Sequence, residues 1–253
     1  MRRILAVFPL LFLASLAFGQ DFGGPYYQFA VTGGSVAYAP FPGGAPGGGG
    51  GGGGSPESIF VSSFTVGSDT PLENDSPGPG LSWLNSDVGA KDFTIEADDD
   101  EVHGEQAVSS AFTLLSTAPA GNNWWVEVNG KTGTSNANNR FGSIVNASTA
   151  AAPTTRDLYF ASIWGSGIWE LDRQDDSSGV LLASGTIAGF NAATYYTLRL
   201  ESNGNAKTVY IDGVAVSNGI SDGTYGGGMP GIYIRSNVAG ESRITWAQGQ
   251  KNP

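Results

Sequence analysis

The stretch Tyr195–Val216, YYTLRLESNGNAKTVYIDGVAV, decides the fold. It contains two turn signals, Asn203-Gly204 and Asp212-Gly213, of the kind whose residues accept the positive φ of a tight hairpin. Two-residue turns at these points predict three short antiparallel strands, with Leu198 opposite Val209, Tyr196 opposite Ile211, Val209 opposite Val216 and Ile211 opposite Val214. Tyr196, Leu198, Val209, Ile211, Val214 and Val216 then share one face and belong to a core. Arg199, Glu201, Tyr210 and Asp212 take the other face. A slip of one residue would turn the apolar set outward, so the pattern specifies its pairing strongly.

The same pattern extends through the C-terminal three quarters of the 253 residues. SIFVSSFTV (58–66), NWWVEVNG (123–130), DLYFASIW (157–164), GIWELDRQ (167–174), VLLASG (180–185), GIYIRSN (231–237) and RITWAQ (243–248) read as strands separated by Gly, Asn, Asp and Ser. No segment keeps a helical period over three turns, and no fixed-period repeat is present. Many short strands between turn residues predict an all-β antiparallel sandwich or barrel, parsed as one domain over residues 58–249. Along 123–130, Trp124, Val126 and Val128 alternate with Trp125, Glu127 and Asn129, so one set faces a core and the other faces away.

The N-terminal quarter differs. Residues 1–19 carry Arg2 and Arg3, an apolar run and a small-residue exit at Ala17-Phe18-Gly19, the pattern of a secretory signal peptide cleaved after Gly19. A retained anchor would need a longer span. No other stretch is long and apolar enough to span a membrane. Residues 20–57 are rich in Gly and Pro, with eight consecutive glycines at Gly47–Gly54. Such a run buries too little apolar surface to offset its ordering entropy and reads as a flexible tether. It is not a phosphate-binding loop, because no Lys-Ser or Lys-Thr follows it. Tyr26, Tyr27, Phe29 and Tyr38 precede it, as a docking segment or as sticky unstructured chain.

Charge and residue chemistry narrow the function. The formal net charge is -11, and the twelve Lys and Arg are scattered. That balance excludes nucleic acid and anionic membranes as partners. There is no cysteine, so an exported domain here must hold itself by its core. With a single histidine, His103 in an acidic loop, and no cysteine, neither a zinc site nor a Gly-x-Ser-x-Gly hydrolase has its residues.

YIDGVAV (210–216) followed by GIYIRS (231–236), IWELDRQDDSSGVLLASG (168–185) and FTVGSDTPLENDSPGPGLSW (64–83), with Leu72 and Trp83 as anchors, resemble the concanavalin A-like lectin/glucanase superfamily, in particular its laminin G-like jelly rolls. The resemblance implies an antiparallel two-sheet jelly-roll sandwich of roughly 12 to 14 strands, one sheet concave. The resemblance also implies a catalytic pattern to look for, since retaining β-glucanases of the superfamily use a Glu-x-Asp-x-x-Glu strand. Glu170 and Asp172 match its first two positions. The third is Asp175, shorter, out of phase with the period of two, and at the edge of the polar turn Asp175-Asp176-Ser177-Ser178-Gly179. A calcium ion, common among relatives, is the one cofactor the acidic run offers, with Asp98, Asp100 and Glu101 as candidate ligands and Glu105 near them. The run lacks the spacing of a dedicated calcium loop and also reads as a solvated turn.

Sugar-binding faces combine aromatic rings with carboxylates, amides and arginine. Trp125, Glu127, Asn129, Glu170, Asp172, Tyr233 and Arg235 lie off the core side of their strands and would line one groove if those strands share a sheet. Trp83, Trp124, Trp164, Trp169 and Trp246 are assigned to packing or edges. The function expected is that of a secreted, non-enzymatic, lectin-like module for glycan binding or adhesion, with a carbohydrate or glycoconjugate surface as partner. One alternative is a structural protein of a virion or cell-surface appendage, with homo-assembly. A second is a divergent glycoside hydrolase of the β-glucanase type.

Overall fold

A computed structural model describes residues 31–32, 35–36, 57–85, 93–104, 109–116, 118–148, 157–176, 178–238 and 241–252. The signal-peptide segment, the glycine run, Tyr26, Tyr27, Phe29, Tyr38 and Glu105 lie outside the described residues. The chain divides into two units, Met1–Gly51 and Gly52–Pro253. In the first, β1 (Val31–Thr32) and β2 (Ser35–Val36) form an antiparallel pair.

In the second unit the described elements are almost entirely strands: β3 (Ser58–Ser62), β4 (Thr70–Pro71), β5 (Trp83–Asn85), β6 (Phe93–Glu96), β7 (Glu101–Gly104), β8 (Ser109–Leu115), β9 (Asn123–Lys131), β10 (Arg140–Ala147), β11 (Leu158–Trp164), β12 (Ile168–Asp175), β13 (Ser178–Thr186), β14 (Tyr196–Asn203), β15 (Ala206–Ile211), β16 (Val214–Ala215), β17 (Ile220–Ser221), β18 (Met229–Ser236) and β19 (Arg243–Lys251). One 3-10 turn, Leu72–Asn74, interrupts them. Among the described residues no helix is long and apolar enough to cross a membrane.

The strands form two antiparallel sheets. A seven-stranded sheet runs β13-β12-β11-β10-β18-β8-β5. A ten-stranded sheet runs β16-β15-β14-β9-β19-β7-β6-β4, with β17 on β15 and β3 on β19. The strand number exceeds the expected 12 to 14 because short pieces such as β4, β16 and β17, two residues each, extend the larger sheet.

The core lies between the two inner faces. Trp124, Val126 and Val128 of β9 and Leu198 and Leu200 of β14 meet Phe141 and Val145 of β10, Tyr159, Ala161 and Ile163 of β11, Trp169 and Leu171 of β12, and Ile232 and Ile234 of β18 in one buried cluster. Each is a period-two position of its strand, so alternation brings the apolar set to the inner face. The Asn146 amide donates from β10 to the Ser202 hydroxyl of β14, a polar tie between the sheets. Leu72 and Trp83 are buried, and the Trp83 indole donates to Asp75 while meeting Phe60 edge-on.

The deciding hairpin has the expected topology with two corrections. Leu198 pairs with Ile211 and Leu200 with Val209, because the turn residues are Gly204-Asn205 rather than Asn203-Gly204. Gly204 has φ 58°, placing glycine at the first central position of the turn, where positive φ is cheapest for it. The shift is two residues in pairing, so every side chain keeps its face. The second correction concerns Val214 and Val216, which are exposed. Their turn, Asp212-Gly213 with positive φ at both residues, forms as expected and pairs Ile211 with Val214. Strand β16, which holds Val214, is the outermost in its sheet, however, and neither valine gains cover from the facing one.

This generates a paired test. Leu198→Ala removes a wholly buried side chain and should lower unfolding free energy by about 2–5 kcal/mol. Val214→Ala should change it by no more than about 0.5 kcal/mol. Urea unfolding of both variants separates the observed core from the one expected of the hairpin alone.

Candidate functional site

The seven-stranded sheet carries two kinds of residue on the face turned away from the core. At one end lies an apolar cluster, with Ile144, Leu158, Phe160, Met229 and Tyr233 all buried. Beside it the register assembles polar rows across four strands. Arg235 of β18 stands opposite Arg140 of β10, which stands opposite Trp164 of β11. In the next row Tyr233, Gly142, Ser162 and Glu170 follow one another across β18, β10, β11 and β12. One row further, Ile144 and Phe160 lead to Asp172.

Gly142 keeps the middle of this surface without a side chain. A Cβ there would come to 2.2 Å from the Ala161 carbonyl oxygen, so the close approach of β10 to β11 requires glycine. The Arg140 guanidinium stacks over the Trp164 ring at 3.5 Å from its centroid. Four polar atoms on the same surface are buried without a hydrogen-bond partner: Arg140 Nε, Arg235 Nε, Trp164 Nε1 and Ser162 Oγ. Native structures leave few such groups, and each needs a partner such as water or a ligand.

Electrostatics set this face apart. Burial, and then the neighbouring Glu170, push the Asp172 carboxyl up to about 7, with Arg140 acting in the opposite direction. Burial pushes Arg140 below its ordinary value; Tyr233 offsets this and Arg235 adds to it. Paired carboxyls two residues apart on one strand face, one of them protonated near neutrality, supply both a hydrogen-bond donor and an acceptor.

Of the residues expected to line one groove, the structure brings Glu170, Asp172, Tyr233 and Arg235 onto a common face. Trp125, Glu127 and Asn129 lie on the outer face of the ten-stranded sheet, because β9 pairs with β14 and β19. There Glu127 accepts a hydrogen bond from Gln248 at 2.9 Å and lies 3.7 Å from Arg199. The Arg199 guanidinium sits 5.1 Å from the Trp125 ring centroid, and Asn129 is bonded to Thr197 and Thr245. These three belong to a cross-strand ladder of their own sheet. Arg140, Ser162 and Trp164 were missed. Their signal was present, since Trp164 and Ser162 alternate with Ile163 and Ala161, but DLYFASIW reads as uniformly apolar.

Asp175 is separate from Glu170 and Asp172. It follows Arg173 on the core-side phase of β12 and takes a two-pronged bond from that guanidinium, both contacts at 2.9 Å. The Tyr225 hydroxyl also donates to Asp175. Arg173 bonds Asp222 as well, and Tyr159 donates to Asp222 at 2.7 Å. Hydrogen bonds from Arg173 and Tyr225 hold the Asp175 carboxyl below its usual range. The three acids of the β-glucanase pattern therefore do not face one another, since β12 runs in unbroken register with β11 and period two sends Asp175 to the opposite side.

The acidic run closes the β6–β7 hairpin. Asp98, Asp99 and Asp100 are exposed in its turn, whereas Glu101 is buried on β7. Glu101 accepts from Arg243 at 3.0 Å, from Lys131 at 3.5 Å and from the Tyr195 hydroxyl. Among the described residues no three His, Asp or Glu side chains converge on a metal position. A carboxylate already held by two cationic side chains does not fit a calcium ligand. His103 lies in strand β7 rather than in a loop, with Nε2 3.0 Å from Glu96.

No family model matches the chain, and no curated protein matches it. Solved structures do. A carbohydrate-binding module, CBM66 from Bacillus subtilis, aligns at 13% identity and TM-score 0.51, covering 67% of this chain and 92% of that one. A β-agarase A in complex with oligoagarose aligns at 10% identity and TM-score 0.52, covering 76% and 90%. A structure from work on endo-acting O-glycanases that initiate mucin breakdown aligns at 11% identity and TM-score 0.52, covering 78% and 100%. The fold is the concanavalin A-like jelly roll. At these identities the likeness is one of fold, and a shared fold does not carry activity.

The acid pair can be tested directly. Asp172 should titrate near pH 7, against about 4 for an ordinary aspartate. With its folded pKa raised, the native state binds the proton more tightly than the unfolded state. The contribution of Asp172 to stability therefore falls as pH rises between those two values and is level above them. Carboxyl-carbon NMR of the wild type and Asp172→Asn should show one titration near neutrality that the variant lacks, and the variant should lose that part of the pH slope in thermal unfolding.

Proposed function

We propose that this chain is a secreted, non-enzymatic glycan-binding module whose binding surface is the outer face of the seven-stranded sheet. The observation that carries the reading is the grouping of Trp164, Arg140, Arg235, Ser162, Glu170 and Asp172 on that face, with four of their polar atoms buried and unpartnered. A sugar offers hydroxyls that donate and accept, and C–H faces that pack on flat groups. The stacked Trp164 and Arg140 present flat surfaces, and the carboxyl pair and Ser162 supply polar partners. Carbohydrate partners named for fold neighbours, oligoagarose among them, agree with this chemistry.

Binding without hydrolysis is favoured by Asp175. A retaining hydrolase needs two carboxyls across the scissile bond, about 5–5.5 Å apart, one acting as nucleophile and one as acid. Asp175 is committed to Arg173 and Tyr225 on the other side of β12. The N-terminal sequence supports export, and the glycine run would let neighbouring copies engage a glycan-bearing surface together.

The full chain on a glycan array, followed by titration calorimetry with the best oligosaccharide, tests this. Trp164→Ala should weaken binding roughly tenfold, the worth of a stacked aromatic. Trp125→Ala, on the other sheet, should bind as the parent does. A blank array, or a loss with Trp125→Ala and none with Trp164→Ala, would overturn the assignment.

A further inference from the structure

Five arginines lie among the described residues, and they fall into two groups. Arg173 is ion-paired with Asp175 and Asp222, Arg199 with Glu127, and Arg243 with Glu96, Asp99 and Glu101. Arg140 and Arg235 make no ion pair with a described carboxylate, and these two face each other across β10 and β18. This occurs in a chain with 23 acidic residues against 12 basic ones. Like charges directly opposite on adjacent strands destabilise the pair. Both Nε atoms are buried without a hydrogen-bond partner, while each side chain as a whole is partly exposed.

The nearest acids on this face favour the Arg140 charge but form no ion pair with it. Glu170 and Asp172 lie on β12, two strand spacings or about 10 Å from β10. The row that holds the two arginines continues into Trp164. Trp164 fixes the plane of the Arg140 guanidinium by stacking, which leaves its edge to make in-plane bonds. Two guanidinium groups across one strand pair match a planar or tetrahedral oxyanion, which each can bind through a fork of N–H donors.

We infer that Arg140 and Arg235 together hold a single anionic substituent, a carboxylate or a sulfate ester, of a glycan lying on this face. The inference rests on the glycan-binding reading above and gives it a ligand class: acidic sugars with isolated charges. The net charge of -11 sets the upper limit on that class, since a densely charged polyanion would be repelled by the rest of the molecule. The pair of arginines attracts one charge locally, and the neighbouring Trp164, Ser162 and carboxyl pair then meet the neutral part of the ligand.

Titration calorimetry on the full chain decides it with four probes: a galactose trisaccharide in which one sugar is galacturonic acid, the same trisaccharide with that carboxylate reduced to the alcohol, a galactose trisaccharide bearing one sulfate ester, and heparin. At least one of the two sparsely charged acidic probes should bind roughly ten- to hundredfold more tightly than the reduced one, the worth of charge-assisted hydrogen bonds. Whichever it is separates carboxylate from sulfate as the source of the charge. Arg235→Met, which keeps the stem, should abolish the preference, so that acidic and reduced trisaccharides bind alike. Arg140→Lys should retain charge and lose most of the preference, because the flat fork is gone. Circular dichroism melts identify any variant that fails to fold, and Arg140→Lys then stands in for Arg235→Met. Equal binding of acidic and reduced probes, weakened by Trp164→Ala, would overturn the anion site while upholding glycan binding. Tighter binding of heparin than of either trisaccharide would overturn the single-charge limit. No binding of any probe would overturn the inference, while binding of other, neutral sugars on the array would leave the parent reading standing.

Discussion

Everything in the second unit depends on one constraint: two β-sheets must bury their inner faces against each other, with no disulfide to help. The chain has no cysteine, so the cluster running from Trp124 and Val126 to Phe141, Tyr159 and Ile232 is what offsets the entropy of ordering so many strands. Period two follows from that constraint. On most central strands each core residue forces its neighbours to the outside, and the outer faces of the two sheets become surfaces whose chemistry can vary while the core holds.

The two outer faces have been used differently. On the ten-stranded sheet Glu127 and Asn129 bond neighbouring side chains, those of Gln248, Thr197 and Thr245, although the Arg199 Nε beside them has no hydrogen bond. On the seven-stranded sheet the arrangement differs. Arg140 and Arg235 oppose each other, Asp172 is held near neutrality by burial beside Glu170, and Ser162 and Trp164 keep polar atoms unpartnered. A satisfied ladder contributes to stability, and an unsatisfied one costs it. Buried polar groups without partners are uncommon in native structures. The same reasoning separates Asp175 from the acid pair. Its bonds to Arg173 and Tyr225, and those of Asp222 to Tyr159, complete a polar network at the end of the core. Its bonding is complete without a ligand.

Much of the fold was legible because alternation is local. Tyr196, Leu198, Val209 and Ile211 take the face their positions assign, even though the hairpin pairs two residues away from the expected register. A shift of two preserves phase, so the hydrophobic pattern could not distinguish the two turns; the preference of Gly204 for the first turn position did. Val214 and Val216 have the right phase and no cover, because burial needs a facing sheet and phase alone does not supply one. The site was legible in part for the same reason. Glu170, Asp172, Tyr233 and Arg235 read as outward residues, and so did Trp125, Glu127 and Asn129, with nothing local to separate them.

The sequence by itself determined the strand pattern, the two-faced character of each strand, the absence of disulfides and the acidic balance. These follow from residue type and a spacing of two, which act within one strand or one hairpin. Only the tertiary structure decided which strands share a sheet. That choice put β9 with β14 and β19 and sent Trp125 to the opposite side of the molecule from Glu170, and it set Arg140 against Arg235 across strands that are about 90 residues apart in the chain. Pairing over such distances is settled by the burial of whole faces and the closure of long loops, terms that belong to the chain as a whole and leave no mark on any single strand.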